Sequence, residues 1–145
     1  MDLDGTFTVE KSDSDVAAFL SDISNILSIM PDKESQEIVD STNAKFRAKA
    51  GVSFIKGKFD IRISLQEIKE DSVRITGAGS GKGGSVDFTI TVIHLPQNNG
   101  TEVKWILNLN IRGTLATLGS RIIKSQAEKY ALNIIGEFKK SLEAM

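Results

Sequence analysis

The stretch Thr76-Gly-Ala-Gly-Ser-Gly-Lys-Gly-Gly-Ser-Val-Asp-Phe-Thr89 sets Gly79, Gly81 and Gly84 in a G-x-G-x-x-G spacing with Lys82 among them. Read as a phosphate cradle, it would open an α/β nucleotide fold; read as a strand, a turn and a second strand, it belongs to an antiparallel sheet. A dinucleotide fingerprint needs a helix behind its glycines, because the helix N-terminus supplies the amide donors and the dipole that hold the pyrophosphate. Here Ser85-Val-Asp-Phe-Thr-Ile-Thr-Val-Ile93 follows, which alternates as a strand does. A P-loop needs Ser or Thr after its lysine and a glycine five positions before the glycine preceding that lysine; Lys82 is followed by Gly83, and the earlier position is Thr76. The stretch is therefore read as part of a hairpin. Val73, Ile75, Gly77, Gly79 and Gly81 share one parity, so the glycines continue an inward apolar row without filling it. Glycine in a strand marks a bend or the close approach of another group. Two readings stay open: the glycines let the sheet curve, or they make room for a cavity. Ala44, Ala48 and Ala50, small inward residues around Phe46, point to the same space.

Working outward, the period of two extends from Glu34 to Gly113, punctuated at Asp40-Ser41-Thr42, near Gly57, at Glu70-Asp71, at Gly83-Gly84 and at Pro96-Gln-Asn-Asn-Gly-Thr101, which predicts about six strands. Phe59, Ile61, Ile63 and Leu65 oppose Lys58, Asp60, Arg62 and Ser64, and Val103, Trp105, Leu107, Leu109 and Ile111 oppose polar neighbours, so one face is buried and the other wet. Before this meander, Leu3, Phe7 and Val9 predict a first strand. A helical stretch capped by Ser12 or Asp13 follows, divided near Asp22 to Asn25 into two short helices and stopped by Pro31. After the meander, Leu115, Leu118, Ile122, Ile123, Ala127, Tyr130, Ala131, Ile134, Ile135, Phe138 and Leu142 form one stripe at helical spacing from Thr114 to about Glu143. The expected architecture is α+β and single-domain over residues 1–145. A curved antiparallel sheet of about seven strands wraps a long C-terminal helix.

Composition narrows the chemistry. The 145 residues are 40% hydrophobic and 26% charged, with a formal net charge of −1, which gives no global attraction to nucleic acid. With no cysteine there is no disulfide, thiolate nucleophile or iron–sulfur ligation, and a single histidine forms no metal-binding pair. The start has neither the basic region nor the apolar run of a signal peptide, and a cytoplasmic location is expected. His94 reads as a surface residue beside a turn, and the carboxylates Asp2, Asp4, Asp13, Asp15, Glu67, Glu70 and Asp71 read as caps and solvated ends. Lys45, Arg47 and Lys49, with Lys56, Lys58 and Arg62, predict a basic patch on the outer sheet face, either solvated or in contact with anionic lipid or an acidic partner. Nucleic acid is not expected, because no aromatics interleave with that charge. Val52, Phe54 and Ile55 read as an apolar hairpin tip, capping the core or standing at a cavity mouth.

This order of elements resembles the helix-grip arrangement of the START-like (SRPBCC) superfamily. Within it, the segment from Gly5 to Ile23, Ser28-Ile-Met-Pro31, the segment from Gly51 to Asp71, Ile75-Thr-Gly-Ala-Gly-Ser-Gly-Lys-Gly-Gly84 and Ile111-Arg-Gly-Thr-Leu-Ala-Thr-Leu-Gly-Ser-Arg-Ile-Ile123 resemble the carbon monoxide dehydrogenase G-subunit (CoxG) family. The resemblance implies a non-catalytic accessory protein that holds an apolar ligand, an isoprenoid quinone or a lipid, and assists a molybdenum hydroxylase at the inner face of the membrane. No covalent cofactor and no metal are implied. The Gly77, Gly79 and Gly81 row and the helix entry Gly113, Leu115, Leu118, Gly119, Arg121 and Ile122 match the family pattern. The expected pocket is formed by Phe46, Phe59, Gly77, Gly79, Gly81, Phe88, Trp105, Ile122, Tyr130 and Ile134, with Tyr130 as its polar handle. An adaptor with no ligand, or an enzyme of the polyketide cyclase kind, are the other readings. Where some family members carry a tail suited to membrane association, this sequence ends at Met145, so anchoring by a tail is not expected. Asp32 follows Pro31 where the family commonly has glycine, which leaves that turn open.

Overall fold

The computed structural model describes residues 1–52 and 55–145, the side chains of 50–52, 55 and 56 excepted. Phe54 and the Val52 and Ile55 side chains, the apolar hairpin tip of the sequence reading, lie outside the described residues. One seven-stranded antiparallel sheet runs in the order β1-β7-β6-β5-β4-β3-β2. Its strands are β1 (Asp2–Val9), β2 (Lys33–Ile38), β3 (Asn43–Val52), β4 (Ile55–Gln66), β5 (Ser72–Gly81), β6 (Gly84–Gln97) and β7 (Gly100–Arg112). The six strands of the meander pair with their sequence neighbours, and β1 closes the order by pairing with β7, Leu3 opposite Leu107 and Phe7 opposite Val103. Gly57, read as a turn marker, lies inside β4 opposite Ala50.

Between β1 and β2 lie α1 (Asp13–Leu20) and α2 (Ile23–Ser28). The Ser12 hydroxyl accepts from the Asp15 amide at 3.2 Å, and the Asp22 carboxylate accepts from the Ser24 amide at 2.9 Å. A new cap two residues after α1 ends is why the helical stretch divides there. Asp32, after Pro31, has φ +59°, so an aspartate takes the left-handed conformation that glycine would adopt freely. The C-terminal stripe also divides. Thr114–Leu118 is a single 3-10 turn, η1, and α3 spans Ser120–Glu143. Gly113 and Gly119, at φ +86° and +89°, bracket η1. At 24 residues α3 is about 36 Å long, shorter than one continuous helix from Thr114 would be.

The core is packed at one end of the sheet. Val16, Phe19, Leu20, Ile23, Ile26 and Leu27 of α1 and α2 are buried against Ala44, Ile63, Val73, Ile75 and Val103, and only Phe138 and Leu142 of α3 join them as fully buried residues. The Phe138 ring stands edge-on to Phe19 at 5.1 Å and to Phe7 at 5.9 Å. Aromatic pairs in this geometry add stability beyond their buried area.

His94 differs from its sequence reading. It is 2% exposed, and its Nδ1 donates to the Asp13 carboxylate at 2.8 Å, so β6 is pinned to the start of α1. A carboxylate only accepts, so the proton lies on Nδ1. Asp13 is thus a partner for a buried ring as well as a residue of the first turn. Beside it, Thr101 is also buried, its hydroxyl donating to the Lys11 carbonyl at 2.8 Å. Asp13→Ala leaves the imidazole N–H unpaired and is expected to destabilise the protein by about 1–3 kcal/mol, read as a lower urea midpoint at constant slope. An unchanged midpoint would mean that the pair contributes nothing.

Candidate functional site

Along α3 from Ile123 to Ile135 the inward residues are only half-buried, although they face a sheet surface of Val86, Phe88, Ile90, Trp105, Leu107, Leu109 and Ile111. Helix and sheet stand apart there, around a cavity of about 380 Å³. Cavities of roughly 300–1,000 Å³ are usual for small-molecule sites. The floor is the inward face of β3 to β7, the roof is α3 with Leu115 and Leu118 of η1, and the packed end is closed by Leu20, Ile26, Ile29 and Phe138.

Of the residues expected to form the pocket, Phe46, Phe59, Phe88, Trp105, Tyr130 and Ile134 line the cavity. Ile122 does not: it is 40% exposed, and Ile123 takes the inward position. Extrapolating one helical phase from Leu115 places Ile122 inside; the break at Gly119 resets the phase by one residue. Gly77, Gly79 and Gly81 do not line the cavity either, because neighbouring side chains lie over them. A Cβ on Gly77 would stand 2.0 Å from the Phe88 ring, one on Gly79 would stand 3.0 Å from Ile61, and one on Gly81 would stand 2.9 Å from the Phe59 ring and 2.6 Å from the Lys58 carbonyl. The space beside Gly77 and Gly81 holds the Phe88 and Phe59 rings, and that beside Gly79 holds the Ile61 and Val86 side chains. Gly5 in β1 does the same for Trp105, opposite it in β7, where a Cβ would stand 2.7 Å from the indole. The sequence reading missed Gly5, because only the β1–β7 register brings it to Trp105.

The lining is almost wholly apolar. Its polar groups, the indole N–H apart, are Asp32, Lys49, Gln126 and Tyr130. Asp32 and Lys49 are joined through their backbones, the Lys49 amide donating to the Asp32 carbonyl at 2.9 Å. Gln126 and Tyr130 lie four residues apart on α3, one turn above the other on the same face. Burial first, and the Asp32 carboxylate second, push the Tyr130 phenol above its ordinary value, so it stays a neutral hydroxyl able to donate and accept. The sequence reading found Tyr130 but not Gln126 or Asp32; a polar residue at helical spacing within an apolar stripe was the available signal for Gln126.

The outer face is less basic than its lysines and arginines suggest. Arg47 pairs with Asp60 at 2.8 Å, Lys58 with Glu34 at 3.2 Å, and Lys45 stands opposite Glu37 in the β2–β3 register. Two cations of the basic patch are thus paired, while Lys45, Lys49 and Arg62 make no ion pair among the described residues; Lys49 also borders the cavity.

The fold is shared by solved structures. A conserved protein from Geobacillus kaustophilus superposes with a TM-score of 0.89 at 20% identity, covering 99% of this chain and 96% of that one. A START superfamily protein from Mycobacterium smegmatis gives 0.71 at 11% identity over 99% and 97% of the two chains. The Zhui aromatase/cyclase from Streptomyces sp. R1128 gives 0.70 at 13% over 99% and 93%. These likenesses establish the START-like helix-grip fold. The curated proteins hold no match to the sequence. The family model for the carbon monoxide dehydrogenase G subunit, CoxG, matches residues 5–143, nearly the whole chain. The chain belongs to the CoxG family.

Proposed function

We propose that this protein is a non-catalytic carrier that holds a neutral, flat-headed hydrophobic molecule, an isoprenoid quinone, between α3 and the sheet. The observation that carries the reading is the cavity of about 380 Å³, apolar except at the corner of Asp32, Lys49, Gln126 and Tyr130. Phe46, Phe59, Phe88 and Trp105 offer faces and edges on which a planar ring can stack. Tyr130 and Gln126 offer donors to a carbonyl oxygen. The Asp32 carboxylate acting on Tyr130 selects against a free fatty acid at this corner. The family description names a subunit of carbon monoxide dehydrogenase, and we infer that this protein brings its ligand to an enzyme of that type, a molybdenum hydroxylase.

Trp105 is the only tryptophan and lies in the cavity wall, so its fluorescence reports occupancy directly. Titration with short-chain ubiquinone and menaquinone analogues is expected to quench it saturably at one ligand per chain, with oleate binding much more weakly. Ala127→Phe, which fills the cavity from α3, is expected to weaken binding at least tenfold with an unchanged circular dichroism spectrum. The absence of saturable quenching by any quinone, or an Ala127→Phe variant that binds as the parent does, would contradict the carrier reading.

Tyr130→Phe removes one hydrogen bond and is expected to weaken quinone binding about fivefold, equivalent to ~1 kcal/mol. Tyr130 is also the only tyrosine, so phenolate absorbance reports it alone. Its titration midpoint is expected above that of free tyrosine and to fall in Asp32→Asn, because removing the carboxylate removes one of the two causes that disfavour phenolate. An unmoved midpoint would separate Asp32 from the Tyr130 corner.

A further inference from the structure

We propose that Asp32 makes the pocket selective for the reduced form of its ligand: the cavity holds a neutral hydroquinone more tightly than the corresponding quinone. This rests on the carrier reading and adds a preference between two redox forms of one molecule. The forms differ by two electrons and two protons, and at the headgroup that difference is one of hydrogen bonding. A quinone offers two carbonyl oxygens, which only accept; a hydroquinone offers two O–H groups, which donate as well. A polar corner therefore tells them apart only through groups that donate alone or accept alone. Tyr130 and Gln126 each carry a donor and an acceptor and serve either form. The Lys49 ammonium donates only, which favours the quinone, and the Asp32 carboxylate accepts only, which favours the hydroquinone.

Three observations decide between these two in favour of Asp32. Its backbone is fixed at the cavity edge: Pro31 precedes it, Lys33 after it pairs with Ala48, and its own carbonyl accepts from the Lys49 amide at 2.9 Å. At φ +59° it holds a conformation that glycine adopts without strain, and a strained residue at the edge of a cavity is the kind of outlier that marks a functional position. Second, its charge is not neutralised. Among the described residues the Asp32 carboxylate has no ion-pair partner, and the neighbouring Lys33 donates its ammonium to the Leu27 carbonyl instead. Third, the charge that reaches the headgroup corner is negative. After burial, Asp32 is what raises the Tyr130 phenol, and no cation acts on it in the opposite direction. Lys49 follows the buried, inward Ala48 on β3, so its exposed side chain starts from the outer face of the strand, where its ammonium reaches water. A carboxylate at this corner repels the lone pairs of a quinone carbonyl and accepts a charge-assisted hydrogen bond from a hydroquinone O–H. Asp32 is exposed, so water competes and the preference is modest. A carrier with this preference delivers the quinone and takes the hydroquinone away, so the reaction it serves is one in which a dehydrogenase, as reductant, places two electrons on the ligand with two protons from solvent.

The test is anaerobic titration calorimetry of the full chain with decylubiquinone and, separately, with decylubiquinol. The parent is expected to bind the quinol about fivefold more tightly, the effect of one hydrogen bond at a partly exposed site. Because the reduced form is the one held more tightly, the midpoint potential of the bound couple is expected to lie above that of the free couple, by roughly 20 mV for a fivefold preference of a two-electron couple. In Asp32→Gly the acceptor is gone, and in Asp32→Asn the amide offers a donor and an acceptor; in both, the ratio of the two affinities is expected to fall to about one and the potential to return to that of the free couple. Glycine and asparagine both tolerate the left-handed conformation, so both variants keep the turn, and circular dichroism checks this. Tyr130→Phe is expected to weaken both forms alike and leave their ratio unchanged, which separates loss of affinity from loss of preference. Equal binding of the two forms by the parent, tighter binding of the quinone, or an unchanged ratio in both Asp32 variants would overturn this inference and leave the carrier reading standing. Binding of neither form would overturn both.

Discussion

Phe138 sets how far α3 can approach the sheet. Its ring is wedged between Phe7 of β1 and Phe19 of α1, and with Leu142 it is all of α3 that is fully buried. Lys139 adds an ammonium 5.4 Å from the centre of the Phe7 ring. The helix is held at its C-terminal end, against a plug made by α1, α2 and the strands beneath them. Beyond that plug no small helix among the described residues fills the space between α3 and the long strands β6 and β7, so the N-terminal part of α3 roofs a cavity. Burying the C-terminal third of one helix, together with α1 and α2, supplies the hydrophobic stabilisation that lets the other end stay unfilled.

An unfilled space lined by large side chains needs something to keep those side chains from collapsing into it. Glycines on neighbouring strands do this. Phe88 lies over Gly77, Phe59 over Gly81 and Trp105 over Gly5, each ring occupying the place where a β-carbon would otherwise stand. The rings that line the cavity reach over the glycine of the neighbouring strand. This bears on both readings of the glycine row: the room beside Gly77 and Gly81 is taken by Phe88 and Phe59, and that beside Gly79 by Ile61 and Val86. It also gives the wall flat apolar faces, which is what a quinone ring would require of it.

Alternating parity makes the sheet legible in the sequence itself: Phe59 to Leu65 and Val103 to Ile111 declare a wet face and a dry one. The caps Ser12 and Asp22 declare two helices by local chemistry, which a sequence displays directly. What stayed hidden depends on register or on distant pairing. His94 meets Asp13 across 81 residues, and nothing near either residue announces the other. Gly5 reaches Trp105 only through the closing pair of strands. Two cations of the outer basic patch, Arg47 and Lys58, meet Asp60 on the next strand and Glu34 on the edge strand, pairings that same-strand parity does not display. Ile122 was misplaced because a helical phase carried through Gly119 ignores the joint there. Six of the ten expected pocket residues line the cavity; Gly77, Gly79 and Gly81 lie beneath neighbouring side chains, and Ile122 lies on the outer side of a helix whose phase resets at Gly119.

The central claim is that the cavity is a site for a ligand and is not simply imperfect packing. Native mass spectrometry of the protein purified gently from its own host, followed by organic extraction of whatever it carries, tests this most directly. The account predicts one neutral hydrophobic molecule per chain, with the ultraviolet spectrum of a quinone, and its loss from the Ala127→Phe variant. Protein that emerges empty and takes up no quinone when mixed with a bacterial lipid extract would contradict it.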